Sequence, residues 1–193
     1  MSFMAERFPK NKSFFLEREA SVETANLKQP ALQYKDSYLA ALAEFQAEGR
    51  YQNLSREELS VDFGSFIKNI PAIRKELNKV PETEYWLINC DEYIGRLSIR
   101  HELNAELLQH GGHIGYAIRP SQRGKGYGKK ALELGLTEAQ KLGLDKVLIT
   151  CDSTNIGSRK IIESHNGVLE NEVEGIPGHP TKLRFWIDIK AAT

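Results

Sequence analysis

Apolar residues recur along this chain at two spacings, and the change from one to the other divides it into helices and strands. From about Gln33 to Glu48, the residues Tyr34, Tyr38, Ala41, Leu42 and Phe45 return at helical spacing, and Gly49 stands where a C′ residue belongs. Ser55-Arg-Glu-Glu58 is a capping-box pattern ahead of Leu59, Phe63, Phe66, Ile67 and Ile70, which predicts a second helix from about Arg56 to a break at Pro71. Ala72 to Val80 reads as a charged connector. Thr83 to Asn89 and Tyr93 to His101 are rich in β-formers and joined at Cys90-Asp-Glu92, a hairpin. Val22 to Gln29 alternates weakly before Pro30 and is expected to be a first strand.

Beyond the hairpin, Leu103 to Gly112 is expected to loop into a strand from His113 to Arg119. Ala131, Leu132, Leu136, Ala139 and Leu142 mark one face of a helix closed by Gly143. Lys146 to Cys151 is a continuous apolar run, the pattern of a strand buried on both faces. A helix follows from Asn155 to about His165, then strands from Val168 to Glu174 and Leu183 to Ile189, separated by the Gly175 to Pro180 turn region. A helix joining His113–Arg119 to Lys146–Cys151 predicts that these two strands are parallel, with a right-handed crossover. The expected fold class is therefore α/β: a single domain with a mixed, mostly antiparallel central sheet and flanking helices. Residues 21–193 form that domain. Residues 1–20, with Phe3, Phe8, Phe14, Phe15 and Leu16 in no clean period, are expected to be an N-terminal extension.

Composition narrows the class. The chain has 193 residues, 40% hydrophobic and 27% charged, with formal net charge +0, which suits one globular domain and argues against general nucleic-acid binding. Cys90 and Cys151 have no metal-like spacing and suggest a reducing compartment. No sustained apolar run opens the chain, and no segment reaches membrane-spanning length, so a cytoplasmic protein without a membrane partner is expected.

Charge is neutral overall but not locally. Between Ala117 and Leu132 stand five basic residues, Arg119, Arg123, Lys125, Lys129 and Lys130, and no acidic one. Among them Gly124, Gly126 and Gly128 allow positive φ, so that several N–H groups can converge at a helix N-terminus on a phosphate or pyrophosphate. A Walker loop requires Gly where Arg123 stands and Ser or Thr where Lys130 stands. Gly124-Lys-Gly126-Tyr-Gly128 is also a poor match to the dinucleotide fingerprint. A nucleotide-binding enzyme using this loop is thus a weaker reading.

Arg123-Gly-Lys-Gly126-Tyr-Gly128 fits Arg/Gln-x-x-Gly-x-Gly/Ala and resembles the coenzyme A pyrophosphate loop of the GNAT superfamily of acyl-CoA-dependent N-acetyltransferases. The order of elements from about Val22 to Ile189 is similar to that family, and Asn155-Ile-Gly-Ser158 is a second matching element. The resemblance implies that the strand entering the loop and the next strand form a parallel, splayed pair, with pantetheine in the gap against backbone groups of Ala117 and Ile118. It implies acetyl-CoA (coenzyme A) as cofactor, with Arg123, Gly124, Lys125, Gly126, Tyr127, Gly128, Lys129, Asn155 and Ser158 as its further contacts. The acceptor it implies is a small-molecule amine or a peptide amine, with no nucleic acid or membrane involved and a homodimer as the assembly to test.

Acyl transfer from a thioester to an amine needs a polarised carbonyl, a proton acceptor for the amine and a proton donor for the thiolate. By the resemblance, N–H groups at Ile118 polarise the carbonyl. Glu102 in Arg100-His-Glu-Leu-Asn104 is the first choice of base and His101 its neighbour, with His113 and Tyr116 as second candidates. Many family members place a Tyr seven residues after the cofactor Asn, and this chain has Ile162 there, so a non-catalytic acyl-CoA-binding module is the rival reading. A metal site built from His101, His110 and His113 is not expected, because Gly111-Gly112 gives no rigid spacing and no Cys joins them.

Overall fold

A computed structural model describes residues 21–190; the extension expected over residues 1–20 lies outside the described residues. The elements in chain order are β1 (Asn26–Lys28), α1 (Lys35–Ala47), α2 (Arg56–Val61), α3 (Phe63–Asn78), β2 (Glu82–Asn89), β3 (Glu92–Arg100), β4 (Ile114–Ile118), α4 (Tyr127–Lys141), β5 (Lys146–Asp152), α5 (Ile156–Glu163), β6 (Val168–Val173) and β7 (Lys182–Asp188). The first strand is shorter than its pattern suggested, because Val22–Thr24 winds into a 3-10 turn.

The helix expected to end at Pro71 differs twice from that reading. It breaks at Asp62, whose side chain accepts the Ser65 N–H at 3.0 Å and starts a new helix. It then runs through Pro71 to Asn78. The proline ring lies on the exposed side, while Phe63 and Ile70 on the buried face pack into the aromatic cluster around Trp86. Beyond the proline, Arg74 Nη2 reaches Glu84 Oε2 at 2.5 Å. Tertiary anchoring on both sides of the missing donor outweighs the helix-breaking tendency of the ring.

The hairpin turns where the sequence placed it. Cys90 and Asp91 both have positive φ, 46° and 63°, as a two-residue turn matched to strand twist requires. At the end of α1, Gly49 adopts φ 79°. Arg50 N–H then donates to Phe45 O at 3.0 Å and Gly49 N–H to Gln46 O at 2.9 Å, the paired bonds of a Schellman stop.

The strands form two sheets, β1-β2-β3-β4 and β5-β7-β6, and every ladder in them is antiparallel. One core fills the space between the sheets' shared face and α4, where Leu97, Ile118, Leu132, Ile149, Ile162 and Phe185 meet. A second, aromatic core packs α1 and α3 on the opposite face of the first sheet around Trp86, which Tyr38 stacks at 4.9 Å.

The strand entering the glycine loop and the next strand, expected as a parallel, splayed pair, share no ladder. The ladder partner of β5 is β7, antiparallel to it, and β4 and β5 belong to different sheets. The segment leading into β4 joins β5 at one end, through an isolated bridge of Gly112 with Ile149 and through His113. His113 donates its backbone N–H to Leu148 O at 2.7 Å, and its ring Nδ1 accepts the Leu148 N–H at 2.9 Å. A side chain takes the place that a strand's next carbonyl would hold, so pairing stops there and the strands part.

This junction requires a neutral imidazole, because a protonated Nδ1 cannot accept. Burial, with the nearby Arg100 charge adding to it, pushes the His113 pKa down to about 4. Between about 4 and the ordinary histidine value of about 6.5 the unfolded chain therefore binds the extra proton, so stability is present above that window and falls as pH drops through it. Thermal melts across this range should show that slope in the wild type and a shallower one in His113→Gln, whose amide oxygen accepts without titrating. Equal slopes would remove the junction from the account.

Candidate functional site

The gap between β4 and β5 is lined by peptide groups whose orientation follows from register. At the ends of the β3–β4 ladder, Arg119 N–H donates to Ile94 O and Arg100 N–H to His113 O, each at 2.8 Å. Hydrogen-bonded pairs alternate in an antiparallel ladder. Ala117 therefore commits its N–H and C=O to Arg96 on β3, whereas Tyr116 and Ile118 turn theirs into the gap. On β5 the same parity holds: Ile189 N–H donates to Asp145 O at 2.9 Å and Ser153 N–H to Thr181 O at 2.8 Å. Odd-numbered residues face β7, and the backbones of Thr150 and Asp152 face β4. Two unpaired strand edges thus border a groove of about 690 Å³, large enough for a cofactor arm. Of the two backbone positions expected from sequence, Ile118 is available and Ala117 is not; Tyr116 takes its place.

The groove runs into the glycine loop. Gly124 and Gly126 adopt φ 75° and 92°, and Gly126 caps α4 without any side chain covering the first N–H groups of the helix. Gly128 lines the groove and lets α5 approach, since a Cβ there would meet Ile161 Cδ1 at 2.7 Å. Tyr127 is different. Its phenol is buried and accepts from Asn89 Nδ2 at 2.8 Å, so its ring serves the core and not the groove.

The basic residues of the loop are less free than the sequence implied. Arg123 pairs with both oxygens of Glu48 at 2.8 Å and donates from Nε to Ile118 O at 3.1 Å. Arg119 Nε reaches Glu44 at 2.7 Å, and Lys130 pairs with Glu133 and Glu23. Burial opposes ionisation of Glu44, but the Ser121 N–H and Arg119 outweigh it and hold its carboxyl below the usual range. Lys125 reaches Gln122 at 3.0 Å. It and Lys129 are exposed and form no ion pair among the described residues.

Asn155 caps α5, its Oδ1 accepting the Ser158 N–H at 3.0 Å, and both residues line the groove. Ser158 Oγ lies 3.2 Å from the Tyr116 hydroxyl, which joins two residues the sequence had assigned to different tasks. Burial, chiefly, raises the Tyr116 pKa, with the Cys151 thiol adding to it and the Ser158 hydrogen bond partly offsetting it. The phenol stays protonated at neutral pH. Ile162, at the position where the resemblance led to the expectation of Tyr, is fully buried in the core.

The first candidates for the base are not in the groove. Glu102 and His101 are exposed, neither lines it, and His101 Nε2 is 2.8 Å from Thr83 Oγ1. His113 lies behind the groove with its Nδ1 occupied by Leu148. The histidine that does line it is His110, with a buried Nδ1 lacking any hydrogen-bond partner. Its segment, the π-helical turn Leu107–Gly111, is tied down by Thr150 Oγ1 donating to His110 O at 2.8 Å and by Arg100 Nη1 donating to Gly111 O and Gly112 O. Sequence reasoning passed over His110 because its stretch read as an open loop. The carboxylates of the groove are occupied: Glu48 by Arg123 and Asp152 by Lys182 at 2.5 Å. No cluster of metal-ligating side chains occurs among the described residues, and none of their helices is long and apolar enough to cross a membrane.

The family model described as acetyltransferase (GNAT) domain matches residues 33–167. No curated protein matches the chain by sequence. Among solved structures, it is similar to Mycobacterium smegmatis RimJ in complex with CoA-disulfide, at 16% identity and TM-score 0.64, covering 85% of this chain and 81% of that one. It is also similar to the self-immunity acetyltransferase MccE in complex with acetyl-CoA and AMP, at 16% identity and TM-score 0.63, covering 86% and 93%. A third is a spermidine N-acetyltransferase chimera of Vibrio cholerae SpeG and hSSAT, at 16% identity and TM-score 0.59, covering 86% and 96%. At such identities the likeness shows a shared fold.

Ile162 has no room to become an aromatic acid. A Cβ on Gly167 would already meet its Cγ2 at 2.4 Å. Ile162→Tyr should lose about 1–3 kcal/mol of stability by overpacking and by burying a hydroxyl, as read by denaturant titration. A variant as stable as the wild type would mean the position opens toward the groove after all.

Proposed function

We propose, from the premise that this chain belongs to the GNAT acetyltransferase family, that it transfers an acetyl group from acetyl-CoA to a primary amine, both being bound at once in the groove between β4 and β5. The observation that carries this is the pair of unpaired strand edges leading into an uncapped helix N-terminus.

The residues fit such a donor. Gly124, Gly126 and the first N–H groups of α4 would hold the pyrophosphate, with Lys125 and Lys129 beside it. Arg123 acts mainly from behind: bonded to Ile118 O and Glu48, it fixes the loop against the strand. The Tyr116 peptide groups would hold the pantetheine arm by the pairing that β5 does not make, leaving the Ile118 N–H for the acyl oxygen. When bound, acetyl-CoA supplies an activated acyl carbonyl and a thiol leaving group.

The chain's residues supply the rest. Ile118 N–H points where it can donate to the acyl oxygen and stabilise charge developing there. His110, whose side chain lines the groove wall, accepts the proton that the attacking amine must lose. The Tyr116 hydroxyl, kept protonated by burial and placed by Ser158, provides a proton to the departing sulfur. The acceptor is an amine. One of the solved neighbours is a spermidine N-acetyltransferase, which supports that class without specifying the acceptor here.

Calorimetry should detect coenzyme A binding to the wild type and none to Gly126→Val, because a β-branched residue cannot hold φ near 92°. Equal affinity in both would refute the loop assignment. In thiol-release assays across an amine panel, His110→Gln should keep coenzyme A affinity and lose about 10²–10⁴-fold in kcat, the usual worth of a general base. Glu102→Gln is the control and should turn over as the wild type does. The reverse ranking would return the role to Glu102, and binding without thiol release for any amine would leave only the acyl-CoA-binding module.

A further inference from the structure

A second cavity, of about 220 Å³, lies under α1 and α3 on the other face of the first sheet. Its walls are Leu42, Phe45, Phe66 and Ile70, and its mouth is formed by Ile73, Leu77 and the segment from Tyr51 to Leu54. Ile73 and Leu77 are 44% and 66% exposed, so the mouth opens to solvent. None of its lining residues lines the transfer groove.

An apolar cavity of this kind ordinarily has an apolar floor, but this one carries charge. Arg74 and Glu84 neutralise one another at 2.5 Å, and the second Glu84 oxygen accepts from Trp86 Nε1 at 3.2 Å. Arg96 is left over. Its Nη1 is 3.9 Å from Glu84, too far for a hydrogen bond, and its one partner within range is the Tyr51 hydroxyl, 3.1 Å from Nε. The side chain lines the cavity and is 22% exposed. Its remaining donors therefore address the cavity. The Tyr51 hydroxyl accepts from Arg96 and from Arg50 Nη2 at 3.4 Å, leaving its own proton to donate. Tyr51 is held at φ 53°, a conformation costly for an aromatic residue, directly after the Schellman stop. Burial opposes phenol ionisation there, yet the two arginines pull the Tyr51 pKa below its usual value, which reports the same positive potential.

We propose that this cavity is a binding site for a small apolar monocarboxylate, its carboxylate held by Arg96 and the Tyr51 hydroxyl and its hydrocarbon body against Leu42, Phe45, Phe66 and Ile70. Charge decides against an amine: the ionised lining residues are Arg74, Arg96 and Glu84, a net of one positive charge, and the only carboxylate is already paired. Size favours a small ligand, since about 220 Å³ lies below the roughly 300–1,000 Å³ of sites for drug-sized molecules. Arg50 lines the transfer groove and contacts Tyr51, so the two sites adjoin at that pair without merging.

The probes are hexanoate and hexylamine, of equal length and opposite charge, titrated into the full chain and followed by methyl NMR. Hexanoate should bind with a Kd of about 1 mM or tighter, shifting Leu42, Leu54 and Ile70, and hexylamine at least about tenfold more weakly. Arg96→Met should abolish the preference between the two. Because that variant removes a mostly buried group, Ile73→Trp at the mouth gives an independent reading: hexanoate affinity should fall about tenfold or more while coenzyme A still binds, which also keeps this test separate from that of the transfer groove. Hexylamine binding as tightly as hexanoate, saturable shifts elsewhere, no saturable binding to the wild type, or unchanged affinity in Ile73→Trp would each overturn the proposal.

Discussion

Leu148 gives its N–H to an imidazole and its carbonyl to the backbone of the same residue, and the separation of the two sheets follows from those two bonds. A strand in that place would have offered a carbonyl every second residue and drawn β4 and β5 together along their length. His113 offers one acceptor and then stops. Beyond it Tyr116 and Ile118 on one side, and Thr150 and Asp152 on the other, turn their peptide groups toward the groove; the Ile118 carbonyl accepts from Arg123 and the Asp152 carbonyl from the Asn155 N–H, and no partner strand covers the rest. Leaving such groups without a protein partner has a cost, and a site that must hold an extended amide-bearing ligand is where that cost is useful.

Electrostatics closes the other end of the groove. The basic run that stood out against a neutral chain is divided between two tasks. Arg119 and Arg123 hold Glu44 and Glu48 and so lock α1 onto the glycine loop. Lys125 and Lys129 point outward, and with the uncapped start of α4 they provide the local field that an anion would meet. The same Schellman stop that orients Glu48 places Arg50 in the groove wall and Tyr51 over the neighbouring cavity. One helix end therefore shapes both.

Much of this was legible beforehand. Strand order, the hairpin at Cys90, the stop at Gly49 and the glycine loop all depend on local spacing or on backbone conformations that particular residues favour, and the structure has them where spacing put them. What was not legible depends on partners distant in sequence. Pro71 reads as a break until the contacts beneath α3 are known. Glu102 reads as a base because it follows a strand, although the chain turns it outward there, whereas His110 is brought into the groove by Thr150 and Arg100. The exchange of Ala117 for Tyr116 is the clearest case, since both lie on the same strand and only register tells which peptide is free.

Amide exchange at single residues tests that register and the groove together. In the ligand-free protein the Ala117 N–H should be protected and the Tyr116 and Ile118 N–H groups should exchange faster. Saturating coenzyme A should slow Tyr116 and Ile118 and leave Ala117 nearly unchanged. If coenzyme A protects neither, or if Ala117 proves to be the amide it shields, the strand edge described here is not where the donor lies.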